Sequence, residues 1–269
     1  MRISAWLQAG TAKLDKAGIG TARLDVLVLT EDVTGRDRAW LLANPNHELS
    51  SAQITKLEKL LNERSKHIPL AYVRKKTEFY GREFIITPAV LEPRPESETM
   101  IDLLKKLPGL PTEPCIADVG AGSGALGITA KLELPKGRVE LLEIDPDALK
   151  IAQKNVDKFT ISIPARESDL LAASGQDNNV LLCNLPYVPD GYHINPAAMA
   201  EPHIAIFGGP DGLDIYRKLF KQVEKLKKQP LFILTESLPP QHEILQGIAE
   251  NAGYSLMQTD DFIQVFELK

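Results

Sequence analysis

The sequence has 269 residues, enough for one large domain or two modest ones, each able to bury a core. Hydrophobic residues make up 43% and charged residues 25%, which argues against a disordered or fibrous chain. The formal net charge of −5 disfavours a broad nucleic-acid-binding surface, because such surfaces are basic.

The first part of the chain is predicted to be helical. Ser4 is a candidate cap for a first amphipathic helix, and Ser50 or Ser51 for a later helix whose leucines recur at helical spacing. Pro69 and the basic residues 74–76 are expected to end this region. We therefore predict a small helical bundle over residues 1–75.

A short hairpin is predicted next. Aromatic and β-branched residues between Glu78 and Val90 flank Gly81, as is typical of two strands joined by a turn. We assign residues 76–96 as a hairpin that links the helical bundle to the rest of the chain.

Apolar runs of strand length alternate with helical segments from about Ser97 onward. The four runs are Cys115 to Val119, Val139 to Leu142, Val180 to Cys183 and Leu231 to Leu234. This alternation predicts an α/β, Rossmann-like domain with a largely parallel sheet over residues 97–269. Two further runs near the end, from Tyr254 and from Phe262, are too close for a helical crossover and predict an antiparallel hairpin at the sheet edge.

A glycine-rich turn follows the first of these strands. It contains Asp118, Gly120, Ala121, Gly122 and Gly124, and glycines there allow the backbone to approach a cofactor. The spacing is not the GxGxxG of a dinucleotide site, and no P-loop lysine follows, so neither NAD nor ATP fits. A purely structural turn remains the alternative for this motif alone.

Two acidic positions follow later strands. Glu143 ends the next strand and can accept both hydroxyls of a ribose, with Asp145 as a competing candidate or as a helix cap. Asp169 follows the presumed third strand, where a carboxylate can accept from an adenine amine. With their neighbours Ile144 and Leu170, and with Asn184 further along the chain, these residues complete the predicted cofactor site.

The most informative feature is the tetrapeptide Asn184, Leu185, Pro186 and Tyr187, which follows an apolar run. A planar nitrogen in an amide or a base amine donates its lone pair to a π-system, so hydrogen-bond acceptors must hold it while it attacks an electrophilic methyl group. An asparagine side-chain oxygen and a backbone carbonyl can act as those acceptors. The tetrapeptide therefore predicts methylation of such a nitrogen.

Other features predict no further site. Five basic residues form a candidate nucleic-acid patch, but a solvated helix end and linker is the more probable interpretation: Arg64, Lys66, Arg74, Lys75 and Lys76. Cys115 and Cys183 are expected to be reduced core residues, and the scattered histidines predict no metal site. The start of the chain has neither a signal peptide nor a membrane anchor, so we expect a cytoplasmic protein.

These motifs, in this order, resemble those of class I S-adenosylmethionine-dependent methyltransferases, and flanking segments narrow the resemblance to the HemK/PrmC family. The flanking segments are Leu70 to Tyr72, Glu78 to Gly81, Pro88 to Glu98 and Gly208 to Arg217, together with the helical region around Gly18 and Leu24. The resemblance covers nearly the whole chain. It implies methylation of a glutamine side-chain amide in peptide chain release factors, with S-adenosylmethionine as cofactor.

The resemblance also implies roles for individual residues. The glycine turn would shape the cofactor loop, Glu143 would hold the ribose and Asp169 would lie by the adenine. Asn184 would accept one hydrogen of the target amide, and the backbone carbonyl of Leu185 would accept the other. The family usually has proline at this position, and leucine keeps the carbonyl while adding an N–H and freeing φ. Tyr187 would pack over the reacting group or serve as a core aromatic.

The helical bundle would recognise the body of the release factor, and we expect a monomer. The segment Pro93 to Glu98 either closes over the site or contains a structural ion pair between Arg94 and Glu98. A ribosomal RNA adenine methyltransferase is an alternative, since those enzymes share the Asn-Leu-Pro-Tyr spelling, but they usually carry a basic surface and a helical domain after the sheet. A cofactor-binding scaffold without turnover is a third reading, which Asn184 and Tyr187 argue against.

Overall fold

The computed structural model describes residues 1–193 and 198–269 and divides into two compact units. The first comprises Met1–Lys76 together with residues 198–200, and the second comprises residues 77–193 and 201–269. Each unit has a hydrophobic core of its own. Of the helices in the described ranges, none combines the length and the apolar composition that a membrane crossing needs.

Five helices form the first unit: α1 (Ile3–Lys16), α2 (Ala22–Thr34), α3 (Arg38–Ala43), α4 (Ser51–Arg64) and α5 (Leu70–Arg74). Their apolar faces meet around Trp6, Leu14 and Leu57, which are buried. Ser50 caps α4 as predicted, because its hydroxyl accepts from the backbone of Gln53, whose side chain accepts from Ser50 in return.

The prediction that Ser4 caps α1 is wrong. The helix begins at Ile3, and the first free N–H groups, those of Ile3 and Ser4, donate to the backbone carbonyls of His47 and Pro45. Because distant backbone carbonyls satisfy these donors, no side-chain cap is needed. Pro69 also differs from its prediction, since it directly precedes α5 and does not end the helical region.

The basic patch of the first unit is largely paired with acids. Arg64 lies 2.6 Å from a carboxylate oxygen of Asp25, and both side chains are almost entirely buried. Arg74 and Lys76 share the carboxylate of Asp32 at 2.6 and 3.0 Å. These contacts neutralise much of the positive charge that a nucleic acid would need.

The remaining elements follow in chain order. They are β1 (Lys76–Phe79), β2 (Arg82–Ile85), α6 (Glu98–Leu104), β3 (Cys115–Val119), α7 (Ala125–Glu133), β4 (Arg138–Glu143), α8 (Pro146–Lys158), β5 (Ala165–Glu167), β6 (Val180–Cys183), α9 (Asp214–Val223), β7 (Phe232–Glu236), α10 (His242–Asn251), β8 (Tyr254–Asp260) and β9 (Ile263–Leu268). Strands β1 and β2 pair as the predicted hairpin.

The other seven strands form one sheet in the order β5-β4-β3-β6-β7-β9-β8. The five strands from β3 through β7 in chain order are all parallel to their neighbours among them, whereas β9 runs antiparallel to both β7 and β8. This arrangement confirms the predicted Rossmann-like sheet with an antiparallel edge hairpin. The chain leaves β3 toward β4 on one side and returns to β6 on the other, and a crevice opens at such a reversal of strand order.

Both faces of the parallel sheet are covered. Alternate residues of one strand belong to different cores, so that Leu182 packs in one cluster and Leu181 in the other. Strands buried on both faces read as uninterrupted apolar runs, which is why the sequence located them well. Cys115 and Cys183 lie buried and unbonded to each other in these strands, as predicted.

Candidate active site

Most of the predicted site residues line one cleft of the second unit, at the carboxyl ends of β3, β4 and β6. The lining includes Asp118, Gly120, Ala121, Gly122, Glu143, Ile144, Asp169, Leu170, Asn184, Leu185 and Pro186. Gly124 and Tyr187, also predicted for the site, are not among the residues that line the cleft. The chain therefore brings three separate motifs to the place where sheets of this topology bind ligands.

Asp118 links the end of β3 to α7, the helix that follows the glycine turn. Its carboxylate oxygen Oδ2 accepts from the backbone N–H of Gly127 at 2.7 Å, and the residue is only 1% exposed. Burial raises the pKa of Asp118 to about 7, against the lowering effect of that hydrogen bond, and the nearby charge of Glu143 adds to the rise. Gly124 precedes α7 with a φ of 79° and packs against Leu141, so it shapes the turn from behind.

Glu143 ties the end of β4 to the glycine turn. Its two carboxylate oxygens accept from the backbone N–H groups of Gly122 at 2.7 Å and Asp145 at 2.9 Å. Burial raises the pKa of Glu143, and backbone hydrogen bonds from Asp145, Gly122 and Ile144 oppose the rise. Each carboxylate oxygen has a second lone-pair site, so Glu143 keeps the capacity to accept from hydroxyl groups.

Asp145 serves as a helix cap, one of the two roles considered for it. Its carboxylate accepts from the backbone N–H of Asp147 at 2.8 Å at the start of α8. The neighbouring Ile144 instead leaves much of its side chain exposed at the cleft. An apolar side chain beside a buried carboxylate suits a ligand with one hydrophobic face and one set of hydroxyls.

Asp169 forms an ion pair that the sequence did not predict. Nζ of Lys218 on α9 lies 2.8 and 2.6 Å from its two carboxylate oxygens. The pair is about half exposed, and both residues line the cleft. Lys218 therefore competes for the carboxylate that was predicted to accept from an adenine amine.

Asn184 is held by a residue that sequence reasoning missed. Its side-chain nitrogen Nδ2 donates to the hydroxyl of Ser97 at 2.9 Å, and that hydroxyl donates to Oε2 of Glu236 at 2.5 Å. Glu236 also accepts from the hydroxyl of Tyr187 at 3.0 Å. Ser97 belongs to the segment from Pro93 to Glu98, in which only Arg94 and Glu98 had been considered individually. Glu236 lies just after the apolar run that ends at Leu234, and no role was predicted for it.

Leu185 lies in the core beside the cleft. It is 2% exposed, and a Cβ added at Gly120 would come within 2.9 Å of its Cδ2 atom, so the two positions are in close contact. Its backbone N–H, which a proline would lack, points to the hydroxyl of Tyr216 at 3.4 Å. Within the described chain no hydrogen bond ends on its carbonyl oxygen.

A glutamine secures the end of the tetrapeptide. Nε2 of Gln241 lies 2.7 Å from the carbonyl oxygens of both Tyr187 and Asp211. Gly212 fits beneath this contact, because an added Cβ would lie only 2.0 Å from the carbonyl oxygen of Tyr187. The sequence marked the segment from Gly208 to Arg217 as a family feature; in the fold, Gly212 packs against the tetrapeptide, and Ile215 of the same segment lines the cleft.

The ion pair between Arg94 and Glu98, one of the two alternatives for the segment 93–98, is not formed among the described residues. Arg94 instead pairs with the buried carboxylate of Glu201. Glu98 accepts from the backbone N–H of Tyr80 at 2.6 Å, which fastens the start of α6 to the hairpin. The partners of Arg94 and Glu98 both lie outside the segment 93–98. The spacing of residues within that segment therefore could not reveal them.

The cleft is acidic, and this decides which cofactors fit it. Its lining contains Asp118, Glu143, Asp145 and Asp169, whereas its one basic lining residue among those described, Lys218, is already paired. A phosphate group would meet repulsion there, while a cationic nucleoside would meet attraction. The open space at Gly122, where an added Cβ would touch nothing, gives such a ligand room at the backbone.

Comparisons with known proteins agree with this geometry. Residues 5–74 match the family model described as PrmC N-terminal domain, and residues 97–201 match the methyltransferase small domain. Among solved structures, the hMettl16 catalytic domain in complex with the MAT2A 3'UTR hairpin 6 superposes with a TM-score of 0.54 at 14% identity, covering 82% of each chain. The fold is that of a methyltransferase.

Similarity to curated proteins is more specific. The chain is 34% identical over 242 residues to the release factor glutamine methyltransferase of Koribacter versatilis, covering 87% of this chain and 86% of that protein. It is 32% identical over 220 residues to the release factor glutamine methyltransferase of Mycoplasma mycoides, covering 80% and 78%. The chain belongs to the release factor glutamine methyltransferase family, which confirms the resemblance to HemK/PrmC proteins.

Proposed function

We propose that this enzyme transfers a methyl group from S-adenosylmethionine to the side-chain amide nitrogen of a glutamine in a peptide chain release factor. The names of its relatives support this substrate. The observation that carries the proposal is the state of Asn184, whose side-chain nitrogen is engaged by Ser97. Its carbonyl oxygen Oδ1 is thereby left as an acceptor at the cleft.

The acidic cleft supports S-adenosylmethionine as the cofactor. When bound, the cofactor supplies a methyl carbon that leaves its sulfonium sulfur as the target nitrogen bonds to it, and that nitrogen then loses one proton. Glu143 would accept from the ribose hydroxyls, and Asp169 would accept from the adenine amine. Asp118, Gly120, Ala121, Gly122 and Gly124 would form the backbone wall, with Ile144 and Leu170 as apolar neighbours.

The tetrapeptide would hold the target amide. Asn184 Oδ1 and the backbone carbonyl of Leu185 would each accept one amide hydrogen, which orients the nitrogen lone pair toward the methyl group. Pro186 fixes its own φ and restricts the backbone of Leu185 before it, and the hydroxyl of Tyr187 donates to Glu236. The enzyme contributes orientation and placement of charge, and it needs no covalent intermediate.

The rest of the proposal concerns partners and location. We assign residues 1–75 to recognition of the release factor, residues 76–96 to the linking hairpin and residues 97–269 to catalysis. We infer a cytoplasmic monomer. The pairing of Arg64, Arg74 and Lys76 with acids supports a protein target over a nucleic acid.

Transfer of labelled methyl groups tests the proposal. Purified enzyme is incubated with labelled S-adenosylmethionine and a bacterial release factor, a release factor with the accepting glutamine changed to alanine, or ribosomal RNA. We expect label on the intact factor only, and none when the enzyme carries Asn184→Ala. Label on RNA alone would overturn the proposed substrate in favour of an adenine methyltransferase, and absence of label everywhere would also overturn it.

A further inference from the structure

A buried carboxylate lies behind Asn184, outside the set of residues assigned to the reaction. Glu236 ends β7 and is 1% exposed, and its two oxygens accept from the hydroxyls of Ser97 at 2.5 Å and Tyr187 at 3.0 Å. It forms no ion pair with a described residue. Burial raises the pKa of Glu236, and hydrogen bonds from the side chains of Ser97, Tyr187 and Asn184 oppose the rise by stabilising the ionised form.

The hydrogen bonds of this group have a defined direction. When it is ionised, Glu236 can only accept, so it takes the single proton of the Ser97 hydroxyl. The Ser97 oxygen is then left as an acceptor for Asn184, and it selects the NH2 end of that side-chain amide. The opposite end, Oδ1, becomes the end available to a substrate.

Strand register places Glu236 where it can do this. Cys183 of β6 is paired in parallel with Thr235 of β7, so the residues that follow each of them, Asn184 and Glu236, occupy equivalent positions on adjacent strands. Ser97 reaches the same place from the segment before α6. The contact is therefore built from three distant parts of the chain and fixed by the sheet.

We propose that Glu236, acting through Ser97, is a positioning residue that sets which end of the Asn184 amide faces the target nitrogen. This inference rests on the proposed function, because it assigns Asn184 Oδ1 the task of accepting from the target. Glu236 is not among the residues that line the cleft. Loss of the carboxylate would let Ser97 donate its proton to Asn184 and so reverse the amide.

The contact of Glu236 with Ser97 and of Ser97 with Asn184 is called the relay here. The second unit contains a matched control for this relay. Glu140 of β4 is also 1% exposed and also accepts from a serine hydroxyl, that of Ser174, at 2.5 Å. Neither Glu140 nor Ser174 lines the cleft. Substitutions there reproduce the loss of a buried carboxylate and its serine partner without disturbing Asn184.

The test compares Glu236→Met and Ser97→Ala with Glu140→Met and Ser174→Ala, and adds Ser97→Thr, which keeps the hydroxyl; methionine is used because glutamine would keep an oxygen that can accept from the serine. We expect kcat for release factor methylation to fall about 10- to 100-fold in the first two variants, as misorientation of a reacting group does. Cofactor Kd should stay within about threefold in the Glu236 variant, because Glu236 does not line the cleft, and Ser97→Thr should retain most of the wild-type kcat. Equal losses in the Glu140 and Ser174 variants would overturn the proposal by showing a general effect of stability.

A second measurement does not depend on the substrate. The side-chain NH2 signal of Asn184 is assigned in a 15N spectrum by its absence from Asn184→Ala. We expect its protons to exchange slowly with water in the wild type and in Ser97→Thr, and faster in Glu236→Met and Ser97→Ala. Unchanged exchange in those two variants would overturn the positioning role.

The two measurements also separate this inference from the proposed function. If the wild-type enzyme fails to methylate a release factor while the exchange pattern follows expectation, the substrate assignment is wrong and the relay stands. If methylation occurs but Glu236→Met retains full kcat, the substrate assignment stands and the relay is wrong.

Discussion

The backbone nitrogen of Leu185 lies 3.4 Å from the hydroxyl oxygen of Tyr216. The same hydroxyl lies 2.8 Å from the carbonyl oxygen of Cys183 and 2.6 Å from that of Glu236. The Tyr216 hydroxyl thus links the ends of β6 and β7. It also contacts the backbone N–H of Leu185, which a proline at this position would lack. The chain compensates for the lost rigidity of proline at this position with a hydrogen bond and a buried leucine side chain.

Leu185→Pro should preserve methyl transfer, because the carbonyl of residue 185 remains. We expect a loss of unfolding free energy of about 1–3 kcal/mol from the smaller buried side chain and the missing hydrogen bond. Tyr216→Phe should cost a similar amount, since it leaves buried backbone groups unpaired. Urea unfolding of both single variants and the double variant measures their coupling.

The double variant should lose less stability than the sum of the two single losses, because proline has no N–H for Tyr216 to satisfy. Strict additivity would show that the contact between Leu185 and Tyr216 contributes nothing.

Gly122→Ala should separate ligand binding from stability. Gly122 has a φ of 56° and an added Cβ would meet no protein atom within 4 Å, so the change costs only about 1 kcal/mol of backbone strain. The methyl group would instead occupy space at the cleft wall. We expect cofactor Kd, measured by calorimetry, to rise at least about tenfold.

Gly18→Ala is the matched control for this change, since Gly18 has a φ of 77° and equally open surroundings but lies in the first unit. Its stability loss should be similar and its cofactor Kd unchanged. Equal Kd values for both variants would contradict a cofactor site at Gly122.

Asp118 should make stability depend on pH near neutrality. Its pKa is raised from 3.8 to about 7 by burial, so the folded state binds a proton that the unfolded state has already released. Its contribution to unfolding free energy is therefore fully present below about pH 4 and declines as pH rises to about 7, by on the order of 4 kcal/mol.

Asp118→Asn removes the titrating group and keeps an oxygen that can accept from Gly127. Thermal unfolding of both proteins between pH 4 and 8 should show the wild type losing stability relative to the variant as pH rises. Parallel curves over this range would place the pKa of Asp118 elsewhere.

Asp169 and Lys218 should differ in their effects on the cofactor. Their ion pair is about half exposed, and such pairs contribute only about 0–1 kcal/mol to stability. Lys218→Met should therefore leave the melting temperature nearly unchanged and should not weaken cofactor binding, because it frees the carboxylate. Asp169→Ala should raise cofactor Kd several-fold. Weaker binding in Lys218→Met would instead assign the contact with the cofactor to the lysine.

The sequence was a good guide to the sheet. β3 and β6 have the predicted limits because strands buried on both faces must be apolar throughout, and the antiparallel hairpin of β8 and β9 was marked by a gap too short for a crossover. The cleft residues Asp118, Glu143 and Asn184 were found because each ends or follows such a strand.

Contacts between distant segments could not be predicted in this way. Ser97 and Glu236 are 139 positions apart, and only the folded sheet brings their side chains together. Arg94 was paired with the wrong acid for the same reason, since its partner Glu201 lies far along the chain. Ser4 was a reasonable cap by residue type, but backbone carbonyls of His47 and Pro45 satisfied the helix start.

The pairing of Cys183 with Thr235 has a consequence for the order of events during synthesis. Asn184 leaves the ribosome well before Glu236, and parallel strands joined by a long connection pair slowly because a large loop must close first. We therefore expect a nascent chain to hold a formed glycine turn while its tetrapeptide is still unoriented. Competence for methyl transfer would arise late and abruptly, when β7 joins the sheet.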